Sequence, residues 1–354
     1  MDKIEYILSK TENHFGGREI VLYGYCDRSI KLRKILEALK YHVVFYVDKS
    51  EKKQLKNEVF HPGVLGNNAE KYYVIIPLAG TDEIPIMLCK LGYCDKDYCY
   101  LGDIKYSVIS ESTDYFEDSY GNVIIGRCDH TRVYFNGFGA KVIIGENFRC
   151  GSNFEIKIRD NSVFETGSNC FMDCKVTMFD DSSFLCGDKC RFETNGLIYM
   201  ITSNITIGNE FTVESGYTFH ALKYSAIQIG NDCMFSYNVI LRTNDGHSIF
   251  NIETGQNINS TEEICRKRII TIGNHVWLST NAIILYNTKI ADGSIIGAAS
   301  LVKGNIPNNC IAAGIPVRII RKNISWCRAN YAESIGECDE LYVNYTDGCE
   351  DQMI

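Results

Sequence analysis

The chain has 354 residues, 45% hydrophobic and 23% charged, the balance of a soluble globular protein rather than a disordered or fibrous one. Lysine and arginine number 36 against 44 aspartates and glutamates, a formal charge of -8, which removes the basic footprint that nucleic-acid binding needs. No stretch approaches the roughly 20 apolar residues of a membrane span, and the opening MDKIEYILSK lacks a signal peptide's basic and apolar regions, so the expectation is a cytoplasmic protein. Sixteen cysteines spread over so long a chain read as buried free thiols rather than a disulfide framework.

Residues 1–104 alternate helical and strand patterns. Asp2–Lys10 reads as helix, Glu19–Gly24 as a short buried strand, and Ser29–Leu39 carries helical periodicity. His42–Val47 gives a second strand ending at Asp48. Lys71–Pro77 gives a third, a helix follows around Glu83–Leu91, and Asp97–Leu101 makes a fourth strand. This order predicts a small Rossmann-like α/β unit on a parallel sheet.

From about residue 105 the helical signal stops and aliphatic residues recur at six-residue spacing. The clearest run is Ile272, Leu278, Ile284, Ile290, Ile296 and Val302, with Val276, Ala282, Thr288, Ser294 and Ser300 each four residues after one of the first five. Shorter runs are Ile229, Phe235, Leu241; Ile207, Val213, Phe219; and Ile144, Cys150, Ile156, several opening with Ile-Gly. Each six-residue repeat supplies one short strand and one corner, so three close a triangular coil with its aliphatic residues stacked inside. The pattern predicts an all-β parallel β-helix over 105–325, of the hexapeptide kind whose crossovers are left-handed. Between Ile156 and Ile207 the aliphatic period gives way to Phe164, Phe171, Phe179, Phe184 and Phe192, predicting irregular, aromatic-filled coils. The segment 326–354 reads as a C-terminal helix packed on the last coil, followed by a tail.

The repeat breaks after Leu241 and returns at Ile270, leaving a projecting loop of about 242–268. So long a loop inside a repeat domain is the first place to seek chemistry. It holds Thr243-Asn-Asp-Gly-His-Ser-Ile-Phe250, one histidine beside a polar turn and an apolar anchor.

The segment 200–325 resembles the hexapeptide-repeat acyltransferases, and most closely the sugar O-acetyltransferases of bacterial surface-polysaccharide clusters. The resemblance is carried by Asn244-Asp-Gly-His-Ser-Ile249, Ile270-Thr-Ile-Gly-Asn-His-Val-Trp-Leu-Ser279, Ile295–Val302, Asn305–Pro316 and Val317-Arg-Ile-Ile-Arg321. It implies a left-handed β-helix that forms a homotrimer, acetyl-CoA as donor with no permanently bound cofactor, a carbohydrate acceptor, and His247 as the loop base. Attack of a sugar hydroxyl on a thioester requires removal of the hydroxyl proton as the bond forms, and imidazole suits that task near neutrality. Asp245 is the candidate to orient the ring, and the Asn244 amide or backbone N–H groups are candidates to bind the oxyanion. In the family the donor lies in a groove between subunits. Thr280, Ala298 and Lys303 match corner positions along it, Trp277 is an amphipathic aromatic at the cleft, and Arg318 and Arg321 match a basic pair suited to the donor's phosphates. Many relatives carry Thr-Lys where this chain has Lys303-Gly304, which shifts that cation by one position.

Other residues admit plainer readings. His220 at a coil corner reads as a satisfied surface histidine, and His275 as a residue that helps coils stack. Cys170, Cys174, Cys186 and Cys190 have a zinc-like spacing but lack the tighter knuckle, so no metal is expected. Gly24-Tyr-Cys-Asp-Arg-Ser29 keeps only the first glycine of a dinucleotide-binding turn, although Asp48 stands where a ribose-binding acid could lie. The expected activity is acetyl-CoA-dependent O-acetylation of a surface-polysaccharide sugar or its precursor. The alternatives are N-acetylation of a nucleotide-linked amino sugar held by the N-terminal unit, or a non-catalytic scaffold.

Overall fold

The computed structural model describes residues 15–38, 40–77, 83–94, 96–100, 107–109, 114–118, 121–127, 129, 131–137, 139–329, 331–335 and 342–347. The chain divides into two compact units, Met1–Tyr106 with Asn136–Phe138, and Ser107–Phe135 with Gly139–Ile354.

In the first unit the strands are β1 (Glu19–Tyr23), β2 (Val43–Val47), β3 (Val59–Phe60), β4 (Tyr72–Ile76) and β5 (Tyr98–Tyr100), and the two longer helices are α1 (Asp27–Ala38) and α2 (Glu83–Lys90). All pairings are parallel, in the order β3-β2-β1-β4-β5. Near-continuous apolar strands suit this sheet because both faces are covered. Ile20, Leu22, Val43 and Ile75 pack with Leu36 of α1 on one face, and Val21, Tyr23, Val47 and Val74 with Leu88 of α2 on the other. The two-residue strand β3 carries too little pattern to be read from sequence. The segment expected as a helix at Asp2–Lys10 lies outside the described residues.

The second unit is a parallel β-helix. One interior column runs Val142, Phe164, Phe184, Ile205, Ile227, each paired with the next in register, so coils rise in steps of 22, 20, 21 and 22 residues. Only after the loop does the step fall to 18, as in Ile270 on Thr288 and Leu278 on Ile296. The six-residue run is the interior of these last coils: Ile272, Leu278, Ile284, Ile290, Ile296 and Val302 are all buried, as are Val276, Ala282, Thr288, Ser294 and Ser300.

In the longer coils the core is aromatic. Phe164 stacks on Phe184 at 5.0 Å, and Phe192, Phe211 and Phe235 follow at 5.2 and 4.9 Å. Phe171 and Phe179, expected in the same core, instead point outward and are only half-buried. Inside a strand side chains alternate, so an odd step along Phe171–Phe179 from the buried Met172 or Met178 reaches the outer face.

The Ile-Gly signature has a steric cause. At Gly230 a Cβ would sit 2.6 Å from both Asn274 Oδ1 and Gly273 O of the next coil. Gly230→Ala is therefore expected to destabilise the protein by about 1–3 kcal/mol, read as a lowered midpoint in a denaturant melt.

Of the segment expected as a C-terminal helix and tail, 330, 336–341 and 348–354 lie outside the described residues. Within the described part, Trp326–Arg328 forms an irregular strap across earlier coils. Trp326 is buried, its Nε1 donates to His275 O at 2.9 Å, and its ring stacks on His275 at 3.9 Å. Arg328 reaches Asp232 Oδ1 at 2.6 Å and Thr212 Oγ1 at 2.9 Å. These tertiary bonds outweigh local helical preference. Among the described residues no helix is long and apolar enough to cross a membrane.

Candidate functional site

The projecting loop leaves the coil at a firm root. Thr243 is fully buried, its N–H donates to His220 O at 3.1 Å, and its hydroxyl lies 2.7 Å from Ser225 Oγ. The loop closes on itself through a single antiparallel bridge between Phe250 and Asn257. A short helix, Glu262–Arg266, capped by the Thr261 hydroxyl, leads back to the coil at Ile269, which pairs with Ala226.

Asn259, almost fully buried, holds this loop together. Its Nδ2 donates to Asp245 Oδ2 at 3.0 Å and to His247 O at 2.8 Å, while its Oδ1 accepts from Ile249 N at 2.7 Å. One side chain thus holds the Asp245 carboxylate, the carbonyl of His247 itself and the Ile249 N–H two residues beyond it. The imidazole itself is exposed and has no hydrogen bond to another described residue.

Asp245 makes no hydrogen bond to that ring among the described residues. Its Oδ2 accepts from Arg268 Nη2 at 2.9 Å as well as from Asn259. Partial burial alone would raise this carboxyl, but the Asn259 amide, the Arg268 guanidinium and the Tyr286 hydroxyl outweigh it and hold it below the ordinary carboxylate value. The sequence expectation that Asp245 orients His247 is replaced by a different geometry: Asp245 fastens the loop to the coil. Arg268 is buried, and its guanidinium lies 4.1 Å from the centre of the Tyr286 ring. Lys303 Nζ approaches the same ring at 4.5 Å, so the shifted cation stands beside the loop root.

Asn244 sits between these groups with its Oδ1 buried and without a hydrogen-bond partner among the described residues. Its backbone carbonyl accepts from Arg242 Nε at 2.9 Å. The residue thus sits at the loop root, three residues before His247 in the chain.

The donor-contact candidates fall in two groups. Thr280 and Ala298 share a corner on successive coils, with Ala299 N donating to Thr280 O at 2.9 Å. Half-buried Trp277 lies on the strand preceding that corner and donates to Ser236 Oγ at 3.3 Å, with Trp326 at 5.9 Å behind it. Arg318 and Arg321 lie on a terminal strand, Arg318–Lys322, antiparallel to Cys310–Ala313, and both are exposed.

The cysteine set divides. Cys170, Cys186 and Cys190 bring their sulfurs within 4.8 Å of one another, but the Cys170 and Cys190 thiols donate to Gly187 O and Gly208 O at 3.2 Å. Cys174 is outside that group, and burial pushes its thiol up to about 12, the behaviour of a neutral core filler. In the first unit Asp48 Oδ2 accepts from Tyr25 N at 2.8 Å and from Lys53 Nζ at 2.9 Å, and Oδ1 accepts from Ser50 N at 2.9 Å. This acid closes the turn after β1 rather than projecting toward a ribose.

Asn259 and Arg268 had no signal in the sequence beyond their types. An arginine directly before an aliphatic coil is a hint, because a buried arginine is nearly always paired, but Arg266, Lys267 and Arg268 stand together.

No family model matches the chain. It is similar to the polysialic acid O-acetyltransferase of Neisseria meningitidis, 32% identical over 194 residues that cover 53% of this chain and 80% of that protein. It is also similar to the polysialic acid O-acetyltransferase of Escherichia coli O1:K1 / APEC, 32% identical over 147 residues, 41% of this chain and 46% of that protein. The putative lipopolysaccharide biosynthesis O-acetyl transferase WbbJ of Escherichia coli (strain K12) is 32% identical over 106 residues, 29% of this chain and 54% of that one. The chain thus spans about half the length of the two Escherichia coli relatives. Among solved structures, the polysialic acid-specific acetyltransferase NeuO aligns with a TM-score of 0.52 at 28% identity, over 59% of this chain and 87% of its own. The polysialic acid O-acetyltransferase OatWY aligns at 0.50 and 23% identity, over 57% and 94%, a likeness of fold.

Proposed function

This chain belongs to the hexapeptide-repeat acetyltransferases, the family of the meningococcal polysialic acid O-acetyltransferase, and on that premise we propose that it transfers an acetyl group from acetyl-CoA to a sugar hydroxyl of a bacterial surface polysaccharide or its precursor. The observation that carries this reading is the loop: His247 is presented exposed on it, with Asn259 holding the His247 carbonyl and the Ile249 N–H. A base so presented takes the proton of an incoming hydroxyl as the hydroxyl oxygen attacks the thioester carbonyl. Collapse of the tetrahedral intermediate expels the thiolate of coenzyme A and leaves the acetyl ester. The Asn244 side chain at the loop root stands as donor to the oxyanion.

Trp277, Thr280 and Ala298 line the corner along which the donor lies, and Arg318 and Arg321 take its phosphates. The coils wind left-handed and three copies assemble, with the donor between neighbours. The protein works in the cytoplasm, where acetyl-CoA is made, and carries no resident cofactor.

A second reading has one observation in its favour: the strand order of the first unit is that of nucleotide-binding folds, which would suit an amine acceptor on a nucleotide-linked amino sugar. The engagement of Asp48 in its own turn speaks against it. The test is thiol release from acetyl-CoA by the full chain, offered polysaccharide fragments and nucleotide-linked amino sugars. Release with a hydroxyl acceptor is the expected result. Release only with an amine overturns O-acetylation, and calorimetry showing no binding of coenzyme A would leave a scaffold.

A further inference from the structure

Lys303 stands on the loop's side of the coils. Leu301 follows the corner that holds Ala298, and the chain then runs toward the corner from which the loop leaves. Val302 pairs with Ile284 and Ile284 with Leu241, two residues before the loop root at Thr243. Lys303 is exposed, and it makes no ion pair with a described residue; its Nζ lies 4.5 Å from the centre of the Tyr286 ring.

A bulge brings Tyr286 to that place. Along the strand Ile283–Ile290 the coil step falls from 18 residues, at Ile284 on Val302, to 16, at Thr288 on Gly304, so two residues of the earlier strand are in excess. The excess is taken up around half-buried Tyr286 and Asn287, the latter at φ 60°, a left-handed conformation that asparagine accepts. Bulges of this kind re-aim a side chain beside a site. Opposite them Gly304 has φ 104°, where any side chain is strained. A lysine at 304 would carry that strain, and the cation stands at 303 instead.

The ring joins Lys303 to the loop. The Arg268 guanidinium lies 4.1 Å from the same ring centre. Arg268 is 4% exposed, and its Nε is buried without a hydrogen-bond partner among the described residues, while Nη2 donates to Asp245 Oδ2 at 2.9 Å. A buried guanidinium short of hydrogen bonds thus rests on the ring face. Asp245 neutralises it, which lets a second cation share the ring. The Tyr286 hydroxyl is itself one of the groups that hold the Asp245 carboxyl below its ordinary value. Contacts therefore run from an exposed lysine on the last coils, through one ring, to the aspartate two residues before His247.

Resting on the acetyl-transfer reading above, we propose that Tyr286 is a positioning residue for His247, and that Lys303 acts on the loop through the Tyr286 ring rather than on the donor's phosphates. Loss of the lysine loosens the ring, the ring loosens Arg268 and Asp245, and the base is misplaced against the acceptor hydroxyl.

The test is thiol release by the full chain, comparing Lys303→Gln, Tyr286→Leu and the two together. Lys303→Gln is expected to lower kcat about threefold to tenfold with KM for acetyl-CoA unchanged. Tyr286→Leu lowers kcat about tenfold or more, and the double variant is no worse than Tyr286→Leu, because the lysine has no other route to the loop. Tyr286→Phe keeps the ring and the fold, so on that background Lys303→Gln still lowers kcat. A raised KM for acetyl-CoA with kcat kept in Lys303→Gln overturns the proposal and makes the lysine a donor contact. So do losses that multiply in the double variant, or a normal kcat in both single variants. Should no acceptor turn over, amide hydrogen exchange of residues 243–250 reads the loop without chemistry. Faster exchange in Tyr286→Leu and Lys303→Gln leaves the ring contact standing while the transferase reading falls, and unchanged exchange overturns both.

Discussion

His247→Ala is expected to lower kcat by roughly 10²–10⁴-fold with the oligomeric state and acetyl-CoA binding retained. The size follows from what the side chain does: a sugar hydroxyl is a poor nucleophile until its proton is taken, and His247 is the loop's one histidine, exposed and without a side-chain hydrogen bond to a described residue. Asp245, the nearest alternative, is fixed to Arg268 and Asn259 and already ionised at any pH above about 4, because its carboxyl is held below the ordinary 3.8. An acid limb in the pH–rate profile above pH 5 therefore cannot be the titration of Asp245. Asn259→Ala supplies the contrast. It removes the clasp but no reacting group, so kcat should fall by about ten- to a hundredfold through misplacement of the ring, with the shape of the pH profile preserved. Equal losses in the two variants, measured by thiol release, would mean that His247 serves only to hold the loop.

The parts of this molecule that were legible in the sequence are those governed by local period. The run from Ile272 to Val302 was readable because an 18-residue coil returns each interior position after three identical steps, and nothing but an aliphatic or small residue fits there. Phe171 and Phe179 misled because their coils are 20 and 22 residues long, so that a fixed spacing no longer marks the interior. The loop was visible as a gap in the repeat, and His247 as its histidine. Its machinery was not visible, since Asn259 and Arg268 act on Asp245 across 14 and 23 residues of irregular chain. The strap at Trp326–Arg328 leaves no trace in the sequence for the same reason: Trp326 and Arg328 find their partners 51 and 96 residues away, and no local pattern records that. Asp48 looked like a ligand site and is a turn-closing acid, a difference set by which N–H groups the fold delivers to it.

Asp232→Asn is expected to destabilise the protein by about 2–4 kcal/mol, below the full loss for a buried ion pair because the Arg328 guanidinium is partly exposed. The carboxylate stands at a coil corner between two cationic or hydrogen-bonding groups: Oδ1 accepts from Arg328 Nε at 2.6 Å, and Oδ2 meets His275 Nδ1. His275 Nε2 carries a proton to Trp326 O at 2.8 Å, since a carbonyl only accepts. Burial would raise the Asp232 carboxyl, but His275 and Arg328 outweigh it and hold it below 3.8. A depressed folded-state value means the contribution is complete above about pH 5, falls as acid begins to protonate the unfolded chain near pH 4, and is gone once the folded carboxyl is protonated too. Urea melts followed by tryptophan fluorescence should thus separate the natural protein from Asp232→Asn at pH 7, with the gap narrowing as the pH falls below the ordinary carboxylate value; a gap that does not narrow in acid would assign the loss to packing rather than charge. The consequence extends to the site. Trp326 backs Trp277 at 5.9 Å, so loosening the strap frees the ring proposed to line the donor, and KM for acetyl-CoA should rise in Asp232→Asn at pH 7 while kcat, set by His247 on its loop, changes less.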